Sequence, residues 1–411
     1  MKYLNCIEKQ KYYINQLLRW LEINKWAGWD PYDLWDTQFG RWISKRSNVF
    51  ERISSLLIAR MDKISPLMIR KAFGAKPRIN AKAMGLFASS FLYLEKIKKT
   101  QYSIGDEYGY IPCFKWLTNN QVTTFGGCGW GYPFDWQSRI LIPKNTPTVV
   151  NSTIIGDAFW IKYKMDGENS YLETCKDICH FIFNALNRSG FKGGDAFCFS
   201  YTPLDTFQVH NANLFAAEFL LRIGLKLSNH KWVKAGLDAT RFSLSEIRDD
   251  GSLNYWSNEQ AINLHQDMYH SGFEIRAFAS IAEITGDIIY RKAAEKYFKT
   301  WLSDFFSNEG KPCLLRGQHN VIESHSCAEA LLCIVTMFEG EYLSESLFLK
   351  YMENILSALD TLWVQLPAGK GGYFAARKYK YFLTNIPYIR WSQAWILLAM
   401  SRCMSLEIFN D

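Results

Sequence analysis

The sequence predicts an all-α fold, an (α/α)6 barrel in which six helical hairpins close into a toroid, with short β-hairpins in the loops before the inner helices. Three observations carry this expectation. A unit of about 60 residues recurs six times; each unit pairs a helix that is apolar nearly all round with one charged along a single face; and a glycine-bearing, aromatic-rich turn recurs five times between them. Self-similarity at a fixed period marks supersecondary units that bury one another's faces.

An amphipathic helix over about residues 7–24 comes first. Gly28-Trp-Asp-Pro-Tyr-Asp-Leu-Trp-Asp follows, a proline-fixed turn able to project Asp30, Tyr32 and Asp33. Inner helices are expected to begin near Asn80, Val149, His210, Asp267, Ser324 and Ile389. The repeated turns are Gly126-Gly-Cys-Gly-Trp-Gly-Tyr, Phe191-Lys-Gly-Gly-Asp, Asp249-Asp-Gly-Ser-Leu-Asn-Tyr-Trp, Asn308-Glu-Gly-Lys-Pro and Gly369-Lys-Gly-Gly-Tyr-Phe. Their glycine, Asp and Asn residues supply the positive φ of tight turns, and the aromatics that follow suit short strands. Leu214-Phe-Ala-Ala-Glu-Phe-Leu-Leu and Ala328-Glu-Ala-Leu-Leu-Cys-Ile-Val read as buried inner helices, whereas Tyr290–Phe305 and Tyr342–Leu362, charged on one face, read as outer ones. Residues 1–75 are expected to pack on the ring and complete it, and 76–411 to form the toroid, one structural domain in all. An open α-solenoid, whose repeats are usually about 34–47 residues long, and two separate bundles are the rival architectures.

With 411 residues, 48% hydrophobic and 21% charged, the chain has the balance of a globular protein with a sizeable core. No run reaches the roughly 18 apolar residues of a membrane span. The first residues lack an apolar signal core, which points to the cytoplasm. Ten scattered cysteines, including Cys175 and Cys179 in a lone CxxxC and Cys128 and Cys327 near the mouth, are expected to be reduced and mostly buried. The net charge of +7 is concentrated in the first hundred residues, among them Lys45, Arg46, Arg70, Lys71, Lys76, Arg78, Lys96, Lys98 and Lys99. That balance suits an acidic saccharide, a sugar nucleotide or a lipid phosphate headgroup. No nucleic-acid-binding motif accompanies the charge, so no nucleic-acid partner is expected. Neither a Walker-type GxxxxGK, a Rossmann GxGxxG nor a GxSxG is present, and there is no HExxH or Cys/His cluster, so no cofactor and no metal are expected.

Four of the seven histidines, His210, His265, His270 and His325, fall at or just before inner-helix starts on three successive hairpins, positions that converge in a closed ring. Histidine exchanges a proton near neutral pH, so His210, His270 and His325 are candidate acid–base groups able to interconvert the configuration of a sugar carbon. Asp267 and Asp135 join them as catalytic candidates, Asp267 doubling as a helix N-cap. His270 with Glu274, and His325 with Glu329, share an i, i+4 spacing that places each carboxylate on its histidine's helical face, to orient the ring or to satisfy a buried polar pair. Hydrolysis of a glycosidic bond would need two carboxylates from the set Asp135, Asp157, Asp205, Asp267 and Glu323. For substrate binding, Trp130, Tyr132, Trp136, Tyr201, Tyr255, Trp256, Tyr269 and Trp391 offer aromatic faces to sugar C–H groups. Asn151, Asn211 and Asn213 offer amides, and His265, Glu274 and Glu329 line the same mouth. Arg390, Arg139 and Arg316 with His319 are cationic candidates for a carboxylate or phosphate.

The six-unit pattern over roughly residues 75–405 resembles the six-hairpin glycosidase superfamily, which holds glycoside hydrolases, uronyl hydrolases, polysaccharide lyases and N-acylglucosamine 2-epimerases. Gly28-Trp-Asp-Pro-Tyr-Asp, Gly129-Trp-Gly-Tyr-Pro-Phe-Asp-Trp-Gln and Tyr269-His-Ser-Gly-Phe-Glu look like segments of uncharacterised bacterial proteins associated with capsule or exopolysaccharide synthesis. The resemblance implies a carbohydrate substrate and a cleft at the loops leading into the inner helices. It leaves three functions open: histidine-assisted proton transfer on a sugar or oligosaccharide, epimerase- or lyase-like; a glycoside hydrolase with paired carboxylates; and a non-catalytic glycan-binding protein. The expected partner is a sugar or oligosaccharide, of anionic or lipid-linked type among others, with peripheral membrane contact and no transmembrane segment.

Overall fold

A computed structural model describes residues 2–44, 49–97, 109–190, 194–318 and 320–409. In chain order its helices are α1 (Lys2–Asn24), α2 (Gln38–Ser44), α3 (Val49–Ile64), α4 (Pro66–Ala72), α5 (Ala81–Lys96), α6 (Tyr110–Asn119), α7 (Val149–Asp166) and α8 (Asn169–Ala185). They continue with α9 (His210–Lys226), α10 (His230–Ser245), α11 (Met268–Thr285), α12 (Ile288–Asp304), α13 (Ser324–Glu339), α14 (Glu345–Asp360) and α15 (Ala394–Met404). Helices α5, α7, α9, α11, α13 and α15 pack side by side in that order, and α15 returns against α5, closing an inner ring. Helices α6, α8, α10, α12 and α14 each lie outside the inner helix that precedes them, and α1 takes the sixth outer place against α14 and α15.

The residue pattern explains the division into layers. Helix α13 is buried without a break from Ser324 to Val335, whereas α12 buries only Tyr290, Ala294, Tyr297, Phe298 and Trp301, the three-and-four spacing of a one-faced helix. Glycine sets how closely the inner helices approach. A Cβ on Gly85 would lie 2.7 Å from the Ile155 side chain, bringing α5 against α7, and one on Gly156 would lie 2.5 Å from the Phe219 ring, bringing α7 against α9. Asn80, Thr148 and Asp267 cap α5, α7 and α11 by accepting from the backbone N–H groups of Lys82, Asn151 and His270. Gly167 and Gly286 end α7 and α11 in the left-handed conformation, at φ 76° and 70°.

Short antiparallel strand pairs occupy the loops, as the aromatic turns predict. Trp136–Gln137 pairs with Leu141–Ile142, Arg188–Gly190 with Phe197–Phe199, and Trp363–Gln365 with Gly372–Phe374; Arg377–Lys378 lies between Ile322–Glu323 and Leu383–Thr384. Residues 191–193 of the second turn lie outside the described residues. The last inner helix departs from expectation at its start: Ile389–Gln393 forms a π-helical turn ahead of α15, and this widened turn carries Arg390 and Trp391.

Between α1 and α5 the chain makes an excursion through α2, α3 and α4. A small apolar cluster of Leu34, Ile58 and Ile69 holds it together, along with Arg70, which donates to Asp33 at 2.7 Å, to Asp62, and to the Tyr388 hydroxyl at 3.2 Å. The segment before it crosses the mouth of the ring. Trp29 bridges to Tyr388 there, and Asp30 receives Arg390. All ten cysteines are buried and none forms a disulfide. Among the described residues no helix is long and apolar enough to cross a membrane.

If glycine sets the α7–α9 spacing, Gly156→Val overpacks the ring and lowers unfolding stability by about 1–3 kcal/mol. Urea denaturation checks this, and an unchanged midpoint would show that the ring relaxes freely at this contact.

Candidate active site

The first turns of the inner helices bring together a group of aromatic and titratable side chains. Tyr269, the second residue of α11, lies between two histidines: its ring centroid is 4.4 Å from that of His270 and 4.3 Å from that of His325, the latter stacked at 16°. Tyr255 closes on His270 at 4.5 Å. Trp391 lies 6.2 Å from Tyr269 and 6.1 Å from His325, and Trp395 stacks on the other side of His325 at 5.2 Å. Tyr132, Trp136 and Tyr201 continue this wall, and Tyr32 from the crossing segment meets Trp136 and Trp391 edge-on. A cavity of about 240 Å³ opens here, lined by His325, Trp391, Tyr32, Glu323 and Arg377, and on its outer side by Ala59, Asp62 and Lys63 of α3.

Asp267 organises the titratable groups. Its carboxylate caps α11, accepts from His270 Nδ1 at 2.6 Å and lies 3.3 Å from His265 Nε2. Burial alone would raise the Asp267 carboxyl, but His270, His265 and the capped N–H together hold it well below the usual carboxylate range. The hydrogen bond to Asp267 raises His265. With Nδ1 of His270 committed to Asp267, Nε2 is the nitrogen left to exchange a proton, and no hydrogen bond from the described residues occupies it.

His325 is the opposite case. It is 2% exposed and neither ring nitrogen has a partner among the described residues. Burial first, and then the nearby charges of Lys82, His270 and Arg390, push its pKa well below the ordinary histidine value, so it stays neutral. Lys82, at the second position of α5, is equally buried at 4%, with its ammonium 5.4 Å above the Trp395 ring and no hydrogen bond or ion pair from the described residues. Burial and Arg390 lower its pKa well below the usual lysine value. Asn151 and Asn211 occupy the corresponding turns of α7 and α9; both polar atoms of Asn151 and Oδ1 of Asn211 lack partners among the described residues.

Several sequence-predicted residues lie elsewhere. His210 is 1% exposed, with Nδ1 3.1 Å from Ser243 Oγ and Nε2 3.0 Å from Glu246, so it ties α9 to the outer layer. It is the first residue of its helix whereas His325 is the second and His270 the third, and each step turns the side chain by about 100°. Asn213 repeats that outward role by accepting from Phe199 N–H and donating to Ala239 O and Ser243 Oγ. Neither expected i, i+4 pair forms. Glu274 accepts from Tyr297 on α12, with burial pushing its carboxyl well above the usual range. Glu329 makes a bidentate ion pair with Arg276 of α11 at 2.6 and 2.9 Å, and burial, opposed by that arginine, brings it up to about 7.

Trp130 is not a cleft residue: it is 1% exposed, and its indole donates to Leu117 O in the core between α6 and α7. Asp135 closes its own loop by accepting from Lys144 N–H. Trp256 lies beneath Arg139, 3.6 Å from the guanidinium carbon, with Phe207 edge-on. Arg390 is not a free clamp; it is 3% exposed and bidentate to Asp30 at 2.7 and 2.9 Å. Arg316 is engaged by Asp250, Asp304 and Gln266, and His319 lies outside the described residues. Lys82 and the Asp30–Arg390 pair were missed as site features. The signal for Lys82 was available: a lone cation one position inside the otherwise apolar start Ala81-Lys-Ala-Met-Gly-Leu-Phe.

No family model and no curated protein matches the sequence. Solved structures match its fold. The unsaturated glucuronyl hydrolase of Bacillus sp. GL1 superposes with a TM-score of 0.59 at 12% identity, over 98% of this chain and 97% of that one. Cellobiose 2-epimerase from Bacillus thermoamylovorans gives 0.56 at 13% identity, over 79% and 87%. The chain shares their six-hairpin (α/α)6 fold. A glycoside hydrolase family 76 mannosidase from Bacteroides thetaiotaomicron shares it at a TM-score of 0.53 and 15% identity, over 81% and 88%. Hydrolases and an epimerase thus stand on one six-hairpin scaffold, so side-chain chemistry has to choose among the reactions.

The burial of neutral His325 makes a prediction about stability. Its folded pKa is depressed below the unfolded value near 6.5, so on acidification the unfolded chain takes up the proton first and stability falls as pH drops below about 6.5. His325→Phe removes that proton uptake and keeps a ring among Tyr269, Phe273 and Trp395. The variant should lose less thermal stability than the parent between neutral pH and pH 5, as read by calorimetry; parallel curves would contradict a buried neutral His325.

Proposed function

We propose that the chain is a carbohydrate-active enzyme that moves a proton at a sugar carbon by histidine acid–base chemistry. The step is epimerase- or lyase-like, on a sugar or oligosaccharide of bacterial surface polysaccharide. The observation that carries this reading is the Asp267–His270 pair, with Nε2 of His270 free of hydrogen bonds from the described residues and the neutral His325 on the other side of the Tyr269 ring. In such an arrangement Asp267 fixes the tautomer and stabilises the imidazolium that forms when His270 takes a proton, and the neutral ring of His325 supplies a second acid–base site. The aromatic wall of Tyr132, Trp136, Tyr201, Tyr255 and Trp391 suits the apolar faces of sugar rings, and the unpartnered amides of Asn151 and Asn211 suit hydroxyls.

The state of the carboxylates weighs against hydrolysis. Asp267 is held by two histidines, Glu323 by Arg377, Asp205 by the backbone N–H groups of Tyr201, Thr202 and Phe207, and Asp157 by Arg222. A retaining or inverting glycosidase needs one such group free to protonate the leaving oxygen and another facing the anomeric carbon or its water. The fold's appearance in a cellobiose epimerase and an unsaturated glucuronyl hydrolase is compatible with either outcome. Lys82, buried beside Arg390 without an anionic partner of its own, favours a substrate bearing a carboxylate or phosphate, which would restore the charge of the amine.

Incubation with candidate sugars in D2O tests the reaction. Proton NMR should show either deuterium entering at one ring carbon, as epimerisation requires, or loss of that proton with the vinyl signal of an unsaturated sugar, as elimination requires, and His270→Gln should slow either by about 10²–10⁴-fold. Release of a reducing sugar with neither carbon-bound deuterium nor an unsaturated ring would replace this reading with hydrolysis. For the substrate's charge, Lys82→Met should weaken glucuronic acid binding by about tenfold or more, as expected for loss of a charged hydrogen bond, while leaving glucose binding little changed. Equal weakening of both in calorimetric titrations would dismiss an anion-selective role.

A further inference from the structure

We infer that the α2–α4 excursion is a docking surface for an anionic membrane. The first ground is charge. Residues 28–78, which include the aspartates paired to Arg41, Arg70 and Arg78, contain ten Lys and Arg against five Asp and Glu, a net +5 of the chain's total of +7. The second is that α3 is turned inside out. Its solvent face carries Ile53, Leu56, Leu57, Met61 and Ile64, between 48% and 65% exposed, and Met68 of α4 extends the strip at 60%. Ile58, by contrast, is the residue of α3 that joins the small buried cluster beneath.

The two features coincide. Arg60 stands on the same exposed face of α3 and Lys71 is exposed on α4, and no ion pair from the described residues neutralises them. An apolar strip edged with lysine and arginine is the pattern of a helix lying in the headgroup region, its apolar side chains reaching the acyl boundary and its cations meeting lipid phosphates. A second copy of this chain fits the face poorly, because a twofold contact through it would set two strongly cationic surfaces against each other.

Position gives the surface a purpose. The inner side of the same helix, through Ala59, Asp62 and Lys63, lines the mouth cavity with His325 and Trp391. Docking through the outer side therefore holds the mouth at the bilayer surface, within reach of a glycan carried on a phosphate-linked lipid. That last step, the identity of the cargo, rests on the carbohydrate reading; the docking itself does not.

Vesicle sedimentation with the full chain tests the docking without any sugar or activity measurement. The protein should bind vesicles of phosphatidylcholine mixed with phosphatidylglycerol, ignore vesicles of phosphatidylcholine alone, and release at high salt, where surface charges are screened. Two double variants, Leu57→Glu with Ile64→Glu and Arg60→Glu with Lys71→Glu, should each lower partitioning by about tenfold or more. All four positions are exposed, and circular dichroism verifies that the fold survives. Binding that is absent, or indifferent to anionic lipid, overturns the proposal. So does a concentration-dependent dimer, seen by ultracentrifugation, that the Leu57→Glu with Ile64→Glu variant dissolves. A protein that docks yet shows neither carbon–deuterium exchange nor an unsaturated product would retain this inference and lose the proposed reaction.

Discussion

Closure of the inner ring leaves its six helices with almost no solvent face, and the rest of the molecule follows from that constraint. A polar group in the first turn of an inner helix has two choices: a partner in the surrounding protein, or the central mouth. His210 and Asn213 take the first, bonding to the outer hairpin through Ser243, Glu246 and Ala239. Lys82, Asn151, Asn211 and His325 find no such partner among the described residues. Groups of that kind cost stability when left unmet, and a cluster of them at one end of a toroid is where binding chemistry is to be sought.

The segment between α1 and α2 shapes that end. Asp30 is presented from a proline turn and meets Arg390 on the widened turn before α15, both side chains under 10% exposed. A buried ion pair of this kind is weak evidence of net stabilisation, because desolvation offsets most of the attraction. Its effect is positional. It holds Tyr32 over the mouth, orients the turn that bears Trp391, and ties the excursion through α2–α4 to the ring, with Arg70 linking Asp33, Asp62 and Tyr388. A basic, partly apolar surface is thereby kept next to the cavity.

The same chemistry separates the reactions the scaffold can host. Carboxylates surround the mouth as the histidines do, yet arginine, histidine or backbone N–H groups occupy Asp30, Asp205, Asp267 and Glu323. The histidines divide into one fixed by a carboxylate, one buried neutral, one exposed beside Asp267 and one built into the wall. Asp267 is the hinge of this division, since a single carboxylate both caps α11 and orients His270.

The sequence alone determined the architecture, because the period of the hairpins and the all-round apolarity of alternate helices are properties of short segments that any packing must respect. It also located the mouth, since the glycine–aromatic turns and helix starts mark one end of every unit. It could not decide which way each side chain turns. His210, Tyr269, His270 and His325 lie within three positions of their helix starts, and a step of about 100° per residue sends one outward and the others toward a common stack. The i, i+4 carboxylates looked like partners of His270 and His325 but found Tyr297 and Arg276 on neighbouring helices. Only the tertiary structure settled such pairings, because they depend on the distance between helices far apart in the chain, as with Asp30 and Arg390, 360 residues apart.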